Sequence, residues 1–177
     1  MSQFPKASLL VLSLVASASL SAQTAAPNLS DPEVAHVAVT ANAIDIDAAK
    51  FALTRTQNAE VRQFADLMVV DHSAVNAQAS ALATRLRVTP ADNAVSRSLV
   101  DGAATAHHSL EALRGKAFDR AYIDREIAYH QAVLDALDGL LIPTTENADL
   151  KALLQQVRPA VAAHLAHAKS LRAKLGT

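Results

Sequence analysis

The sequence predicts an all-α protein, a four-helix bundle with one long, partly helical crossover between helices 2 and 3. Hydrophobic residues make up 51% of the 177 residues but aromatic residues only 3%, which favours close helix packing over a β-sandwich. Over long stretches, apolar residues recur in alternating steps of four and three, the spacing typical of bundle helices. Two short turns and one long middle segment separate those stretches.

Charge and residue types exclude several classes of function. The formal net charge is −1, so there is no basic surface to attract nucleic acid. The chain has no cysteine, which excludes disulfides, thiolate metal ligands, a cysteine nucleophile and a lipid anchor on cysteine. It also lacks a glycine-rich phosphate loop, a nicotinamide fingerprint and a Ser–His–Asp spacing. The sequence does not decide whether the protein forms a homo-oligomer or binds a protein partner in the envelope.

The start of the chain, positions 1–26, is predicted to be a secretory signal peptide. Lys6 precedes an apolar stretch from Ala7 to about Leu20, small residues follow, and cleavage is expected near positions 22–26. The alternative is a retained membrane anchor, but the apolar run is shorter than the roughly 20 residues that a spanning helix needs. We therefore expect residues 27–177 to form a single exported domain, in the periplasm or associated with the outer envelope, without a transmembrane span.

The first two helices form a predicted hairpin. Ser30 or Asp31 is expected to cap helix 1, which runs to about Thr56. Asn58 is expected to cap helix 2, which runs to about Val88. The inward positions of helix 2 are Val61, Ala65, Met68, His72, Val75, Ala79, Leu82 and Leu86.

The second half of the chain contains the crossover and a second hairpin. Residues 93–114 have helical propensity interrupted by Gly102, and helix 3 is predicted to start near Phe118. Helix 4 follows a turn with cap candidate Asn147, and Pro159 should kink it or mark a late start. Because the long middle segment can return along the whole bundle, helices 2 and 3 can run parallel, as in the ferritin-like arrangement.

Four polar side chains on inward positions are predicted to meet at mid-bundle. At a rise of about 1.5 Å per residue, Asp45 lies about 18 Å before the turn at Gln57, and His72 about 22 Å after it. By the same measure His130 lies about 18 Å into helix 3, and His164 about 20 Å from the end of the chain. All four therefore fall within about two turns of one another. Imidazoles and a carboxylate inside a bundle form a ligand set for a divalent transition metal such as zinc, iron, copper or manganese.

Other residues are second-tier candidates or are expected to be structural. Glu126, one turn before His130, could be a further ligand or could orient the ring, and His167 and Asp71 are also second-tier candidates. The alternative is a buried polar network without metal, since His–Asp and His–Glu pairs can satisfy each other. The remaining polar residues of note are expected to lie at the surface (His107, His108) or to hold the start of helix 3 (Asp119, Tyr122).

Four sequence blocks carry a resemblance to a known family. "AIDIDAAKFAL", "VRQFADLMVVDHSAVN", "GKAFDRAYIDREIAYHQAVL" and "RPAVAAHLAHAKSL" resemble, in order, the blocks of the domain of unknown function 4142 family, over about residues 33–175. The resemblance implies an exported bacterial protein of the ferritin-like superfamily, and no agreed activity. Its characteristic polar sites correspond to Asp45, where relatives commonly have Glu, and to His72, His130 and His164.

The chain departs from the di-iron pattern of true ferritins. Di-iron carboxylate proteins use Glu-x-x-His on two of their helices, but Val69, Ile127 and Val161 stand three positions before the three inward histidines. The bridging carboxylates are therefore missing, and a single histidine-rich metal is the expected site. A catalytic role is left open but not favoured.

The expected function is an exported helical bundle that binds one transition metal, with a role in metal handling or envelope stress. The alternative is a non-catalytic binding or structural protein of the envelope, whose buried His/Asp/Glu network only fixes helix packing. A metal-dependent enzyme would need a substrate pocket, and the low aromatic and glycine content disfavours a large pocket without forbidding one.

Overall fold

The computed structural model describes residues 28–176, and the predicted signal peptide lies outside the described residues. The described chain is all-α, in agreement with the prediction, and contains no strand. A π-helical turn (Leu137–Leu141) and a short helical turn (Ile142–Thr144) precede the last helix. The long helices are α1 (Asp31–Arg55), α2 (Ala59–Leu86), α3 (Ala94–Glu111), α4 (Gly115–Ala136) and α5 (Ala148–Lys174).

Side-chain caps set the starts of the helices close to the predicted positions. Ser30 precedes α1, and the Glu33 carboxylate accepts hydrogen bonds from its backbone N–H and its hydroxyl. Asn58 and Asn147 cap α2 and α5 by accepting from backbone N–H groups of the first turn. Asn93 does the same for α3. The predicted caps at Ser30, Asn58 and Asn147 are confirmed.

Contacts at the two ends of the bundle establish the topology. Thr56, just after α1, donates a 2.6 Å hydrogen bond to Asp119, so α4 begins where α1 ends. Asp31 accepts a 2.9 Å hydrogen bond from the backbone N–H of Asn147, so α5 begins where α1 begins. Helices α2 and α4 therefore run parallel, and α3 packs along α1 as it returns across the bundle. This is the ferritin-like arrangement with one helical crossover.

Three details differ from the sequence interpretation. The crossover helix α3 continues through Gly102, because its Asn93 cap and its packing against α1 outweigh the roughly 1 kcal/mol that glycine costs inside a helix. Helix α4 begins at Gly115, which has a φ of +55°, rather than near Phe118. Helix α5 begins at Ala148, so Pro159 does not mark a late start but lies at an exposed position inside it.

The core consists of two apolar clusters with a layer of buried polar side chains between them. One cluster, around Phe64, Phe118 and Tyr122, fills the end at which α1 meets α2. The other, around Leu137 and Leu154, fills the opposite end. Among the described residues, no helix is long and apolar enough to cross a membrane. The polar layer between the clusters is the part of the fold that positions a site.

Candidate metal centre

Each helix of the four-helix core contributes a buried polar side chain to the middle layer. Asp45 comes from α1, His72 from α2 and His164 from α5, and all are at most 6% exposed. Helix α4 contributes both Glu126 and His130, which are one turn apart. The structure therefore brings together the four residues that the sequence singled out first, together with Glu126.

The three imidazole rings form a nearly equilateral triangle. The ring centroids of His72 and His130 are 5.7 Å apart, those of His72 and His164 are 5.3 Å apart, and those of His130 and His164 are 5.4 Å apart. One nitrogen from each ring lies within 4.8 Å of one from each of the others. A cation that binds nitrogen donors at about 2 Å needs them about 3–4 Å apart, a separation that these nitrogens would reach with a small inward shift.

A hydrogen bond to an oxygen atom orients each ring. His72 Nδ1 donates to Asn42 Oδ1 at 2.7 Å, His130 Nδ1 donates to the backbone oxygen of Glu126 at 2.9 Å, and His164 Nε2 donates to Asp71 Oδ2 at 2.8 Å. In a neutral imidazole, donation from one nitrogen leaves a lone pair on the other. The other nitrogens are His72 Nε2, His130 Nε2 and His164 Nδ1. All three are enclosed; His130 Nε2 and His164 Nδ1 have no hydrogen-bond partner among residues 28–176, whereas His72 Nε2 lies 3.0 Å from Asp45 Oδ2.

The Asp45 carboxylate lies beside two of these nitrogens. Its Oδ2 atom is 3.0 Å from His72 Nε2 and 3.8 Å from His130 Nε2, and its Oδ1 atom accepts a 2.7 Å hydrogen bond from Arg125. Burial by itself raises the pKa of Asp45, but the contact with His72 and the positive charge of Arg125 outweigh it and hold the pKa well below its usual range. The site therefore contains one carboxylate that stays ionised.

Arg125 also donates a hydrogen bond to the second buried carboxyl group, that of Glu126. Its guanidinium donates to Glu126 Oε1 at 2.6 Å and lies 4.2 Å from the centre of the Tyr129 ring. Burial raises the pKa of Glu126 far above its usual range, and the nearby charge of Asp45 adds to this effect. Arg125 and Asp45 thus form the ion pair, and Glu126 accepts a further hydrogen bond from the same guanidinium.

Burial keeps two of the rings in the form that binds metals. It lowers the pKa of His130 to about 4, although the Asp45 charge opposes the shift. Burial also lowers the pKa of His164, against the effect of its hydrogen bond with Asp71. Both rings are therefore neutral at pH 7, and a neutral imidazole has the lone pair that a metal ion requires.

The remaining predicted histidines lie away from this layer. His167 is exposed and packs edge-on against Phe64, with ring centroids 5.1 Å apart. His107 packs against Phe51 at 4.3 Å, and His107 and His108 each lie 3.5 Å from a Glu111 oxygen at the surface. Asp71 reaches the layer only through His164.

Two residues of the layer were not anticipated from the sequence. Arg125 was missed, although its position directly before Glu126 on a mostly inward-facing helix was a usable signal, since a buried carboxylate needs a cation. Asn42 was also missed, although it precedes Asp45 by three positions and so lies one turn away on the same face of α1. Both act by holding residues that were predicted.

The polar layer forms one end of a cavity of about 710 Å³. His72, His130 and His164 line this end, and mainly Ala, Val and Leu side chains line the rest. The composition disfavoured a large pocket, and that expectation is therefore wrong. Small alanines face one another across the bundle at these positions, so that straight helices leave space between them even without glycine or large aromatic residues.

The model of the family described as "Domain of unknown function (DUF4142)" matches residues 16–171. The chain belongs to this family. The resemblance drawn from the four sequence blocks is thus confirmed, and the match covers all the helices of the DUF4142 bundle except the last residues of α5. No curated protein matches the chain.

Solved structures with the same fold come from other helical proteins. A DUF305 fragment from Deinococcus radiodurans is 18% identical with a TM-score of 0.69, covering 84% of this DUF4142 chain and 99% of its own. A DUF305 protein from Streptomyces coelicolor, described as secreted, is 13% identical with a TM-score of 0.68, covering 82% and 93%. CopM in the Cu(II)-bound form is 14% identical with a TM-score of 0.63, covering 84% and 99%. At these identities the comparisons establish the fold alone.

Proposed function

We propose that the protein is an exported helical bundle that binds one divalent transition metal through His72, His130, His164 and Asp45. Its role is the handling of that metal, or protection against metal or other stress in the cell envelope. The observation that carries this proposal is the convergence of three enclosed imidazole nitrogens, each on a ring whose other nitrogen is hydrogen-bonded to an oxygen. This is how metal-binding histidines are oriented in proteins generally.

Without a metal, the enclosed polar atoms of the layer would lower the stability of the fold. An enclosed polar atom without a partner costs about 1–3 kcal/mol, and the layer encloses two such nitrogens, His130 Nε2 and His164 Nδ1. A single divalent cation would accept lone pairs from these two nitrogens, from His72 Nε2 and from Asp45 Oδ2. Its two positive charges would also offset the negative charge of the Asp45 carboxylate.

The donor types favour Cu(II) and Zn(II). Three imidazoles and one carboxylate offer nitrogen and oxygen, and affinity for such donors rises along the divalent series to Cu²⁺. The chain contains no cysteine and so offers no thiolate donor of the kind that selects Cu(I). The similarity to CopM in its Cu(II)-bound form supports testing Cu(II) first.

Export is the second part of the proposal. It is supported by the predicted signal peptide in residues 1–26 and by the similarity to a Streptomyces coelicolor protein described as secreted. An exported protein meets metal ions outside the cytoplasmic buffering system, where a nitrogen and oxygen site suits Cu(II) and Zn(II). No step of the proposal requires catalysis.

A second candidate is a structural protein whose polar layer only fixes helix packing. The ion pairs of Arg125 with Asp45 and Glu126 favour it, because they connect α1 to α4 without a metal. Under this candidate the histidines contribute to stability but do not bind cations.

Metal binding to matched histidine variants separates the two candidates. The protein is purified after export without a histidine tag, and metal content and Cu(II) and Zn(II) titrations are compared for wild type, His164→Ala and His167→Ala. Both substitutions lie on α5, but only His164 is in the layer. We expect one metal per chain in wild type and His167→Ala, and none in His164→Ala. Absence of binding in wild type for copper, zinc, iron and manganese would leave the structural candidate.

A further inference from the structure

The large cavity has the shape of an elongated channel along the bundle axis. Along α1 it is lined from Asn42, beside the polar layer, to Asp31 at the helix start, a distance of about 16 Å at a rise of about 1.5 Å per residue. At the far end the exposed residues Thr84, Arg87 and Thr89 line it, so that the channel opens there. The inner end is closed by the imidazoles of the polar layer.

The wall between the two ends is aliphatic. Leu82, Val133, Leu137 and Leu154 line it from three helices and the π-helical turn, and Tyr129 is the aromatic side chain in the lining. A flat aromatic ligand is bound in pockets that offer aromatic faces, whereas flexible alkyl chains pack against branched aliphatic side chains. A volume of about 710 Å³ lies within the range of small-molecule pockets.

The inner end of the channel offers hydrogen-bond acceptors. Asn76, which lines the channel one turn from His72, has an enclosed Oδ1 atom without a hydrogen-bond partner among the described residues. His164 Nδ1 also lines this end without such a partner. Unpartnered acceptors at this end favour a head group that donates a hydrogen bond over one that is anionic.

We propose that this channel binds a single-chain aliphatic molecule with a hydroxyl head group, with the head inward against Asn76 and the alkyl chain along the aliphatic wall. The channel is built by the fold and does not depend on a bound metal. Burial of the methylene groups against the aliphatic wall supplies the binding free energy, which grows with the length of the alkyl chain.

Binding of decanol to the purified protein, followed by calorimetric titration and by the thermal unfolding midpoint, tests the proposal. We expect saturation at one decanol per chain and a raised midpoint, with and without a chelator. Ala79→Phe places a ring in the channel, and loss of room for two methylene groups should weaken binding more than about tenfold. Ala77→Phe, on the exposed side of the same helix, should bind as wild type does.

Further measurements distinguish three effects on decanol binding: loss of folding, loss of head-group recognition and loss of space in the channel. If Ala79→Phe does not fold, judged by circular dichroism, Val157→Phe on α5 serves as a second channel-filling variant. Wild type should prefer decanol to decanoate, and Asn76→Leu should reduce that preference. Absence of saturable decanol binding, equal binding by a folded channel-filling variant, or a preference for decanoate in metal-free protein would overturn the proposal. Because the titration is run with chelator present, its failure would leave the metal proposal untouched.

Discussion

Arg125 on α4 donates a 2.7 Å hydrogen bond to Asp45 on α1, inside a layer where Asp45 itself has no exposed surface. The same guanidinium reaches Glu126 at 2.6 Å. One cation therefore holds two buried carboxylates, and one of these, Asp45, also contacts His72. Arg125 thus determines the charge that the imidazole triangle experiences, although it is not among the predicted metal ligands.

Replacement of Arg125 by Met should destabilise the fold strongly. The substitution leaves the ionised Asp45 carboxylate buried without its cation, and removal of one partner from a buried ion pair typically costs about 3–5 kcal/mol. The free energy of unfolding from urea denaturation measures the loss. Arg85→Met is the matched control, since Arg85 pairs with Asp149 at the surface and should cost less than about 1 kcal/mol. Equal losses for the two variants would contradict the role given to Arg125.

Substitution of Asn42 by Ala should weaken metal binding without abolishing it. Asn42 Oδ1 accepts the hydrogen bond that orients His72, and loss of such a partner generally lowers metal affinity about 10–100-fold. Competition with a chromophoric chelator measures the affinity for Cu(II) or Zn(II). Gln78→Ala, at an exposed position of α2, is the control and should retain wild-type affinity. Unchanged affinity in Asn42→Ala would mean that His72 needs no such partner.

The metal-free protein should lose stability as the pH falls from about 6.5 to about 4. Burial lowers the pKa of His130 to about 4 from 6.5, so between these values the unfolded chain binds a proton that the folded chain does not. The stabilisation is fully present above pH 6.5, declines as the pH falls through this interval, and stops declining below pH 4. Its slope is about 1.4 kcal/mol per pH unit for one proton. The neighbouring groups in the layer, Asp45, Glu126, His72 and His164, face this ring.

Chemical denaturation at a series of pH values, with chelator present, checks this expectation. His130→Gln removes the titrating ring. The slope of the unfolding free energy against pH, between pH 6.5 and 4, should therefore fall by the amount that corresponds to about one proton. His108→Gln, at the surface of α3, should leave the slope as in wild type. A His130→Gln slope identical to that of wild type would show that another group is responsible.

Replacement of Thr56 by Val should destabilise the bundle and leave the polar layer intact. The Thr56 hydroxyl donates a 2.6 Å hydrogen bond to the buried Asp119 carboxylate, and hydrogen bonds to charged groups contribute about 1.5–3 kcal/mol. Thr54→Val is the control, because its hydroxyl bonds a backbone carbonyl at an exposed position and should change stability by less than about 0.5 kcal/mol. Metal affinity should be unchanged in both variants, since neither threonine contacts the layer. A loss of affinity in Thr56→Val would show that the end contact also positions the site.

The local signals along the chain were sufficient to predict most of the fold. Asn58 and Asn147 cap helices because a short polar side chain before an apolar periodic run can accept the free N–H groups of the first turn. The positions of His72 and His130 along the bundle axis followed from counting residues along straight helices of constant rise. Errors arose where a local rule competes with packing, as at Gly102, where the helix continues.

The sequence by itself determined that the four core helices form and that Asp45, His72, His130 and His164 lie at mid-bundle. Helix period, rise and capping are local properties of the chain, and these positions follow from them. Only the tertiary structure decided which ring nitrogen of each histidine faces its neighbours, that Arg125 lies between two carboxylates, and that the alanines of different helices leave a channel. Those features depend on distances between atoms of different helices. Such distances follow from how the helices pack against one another, which residue spacing along a single helix does not specify.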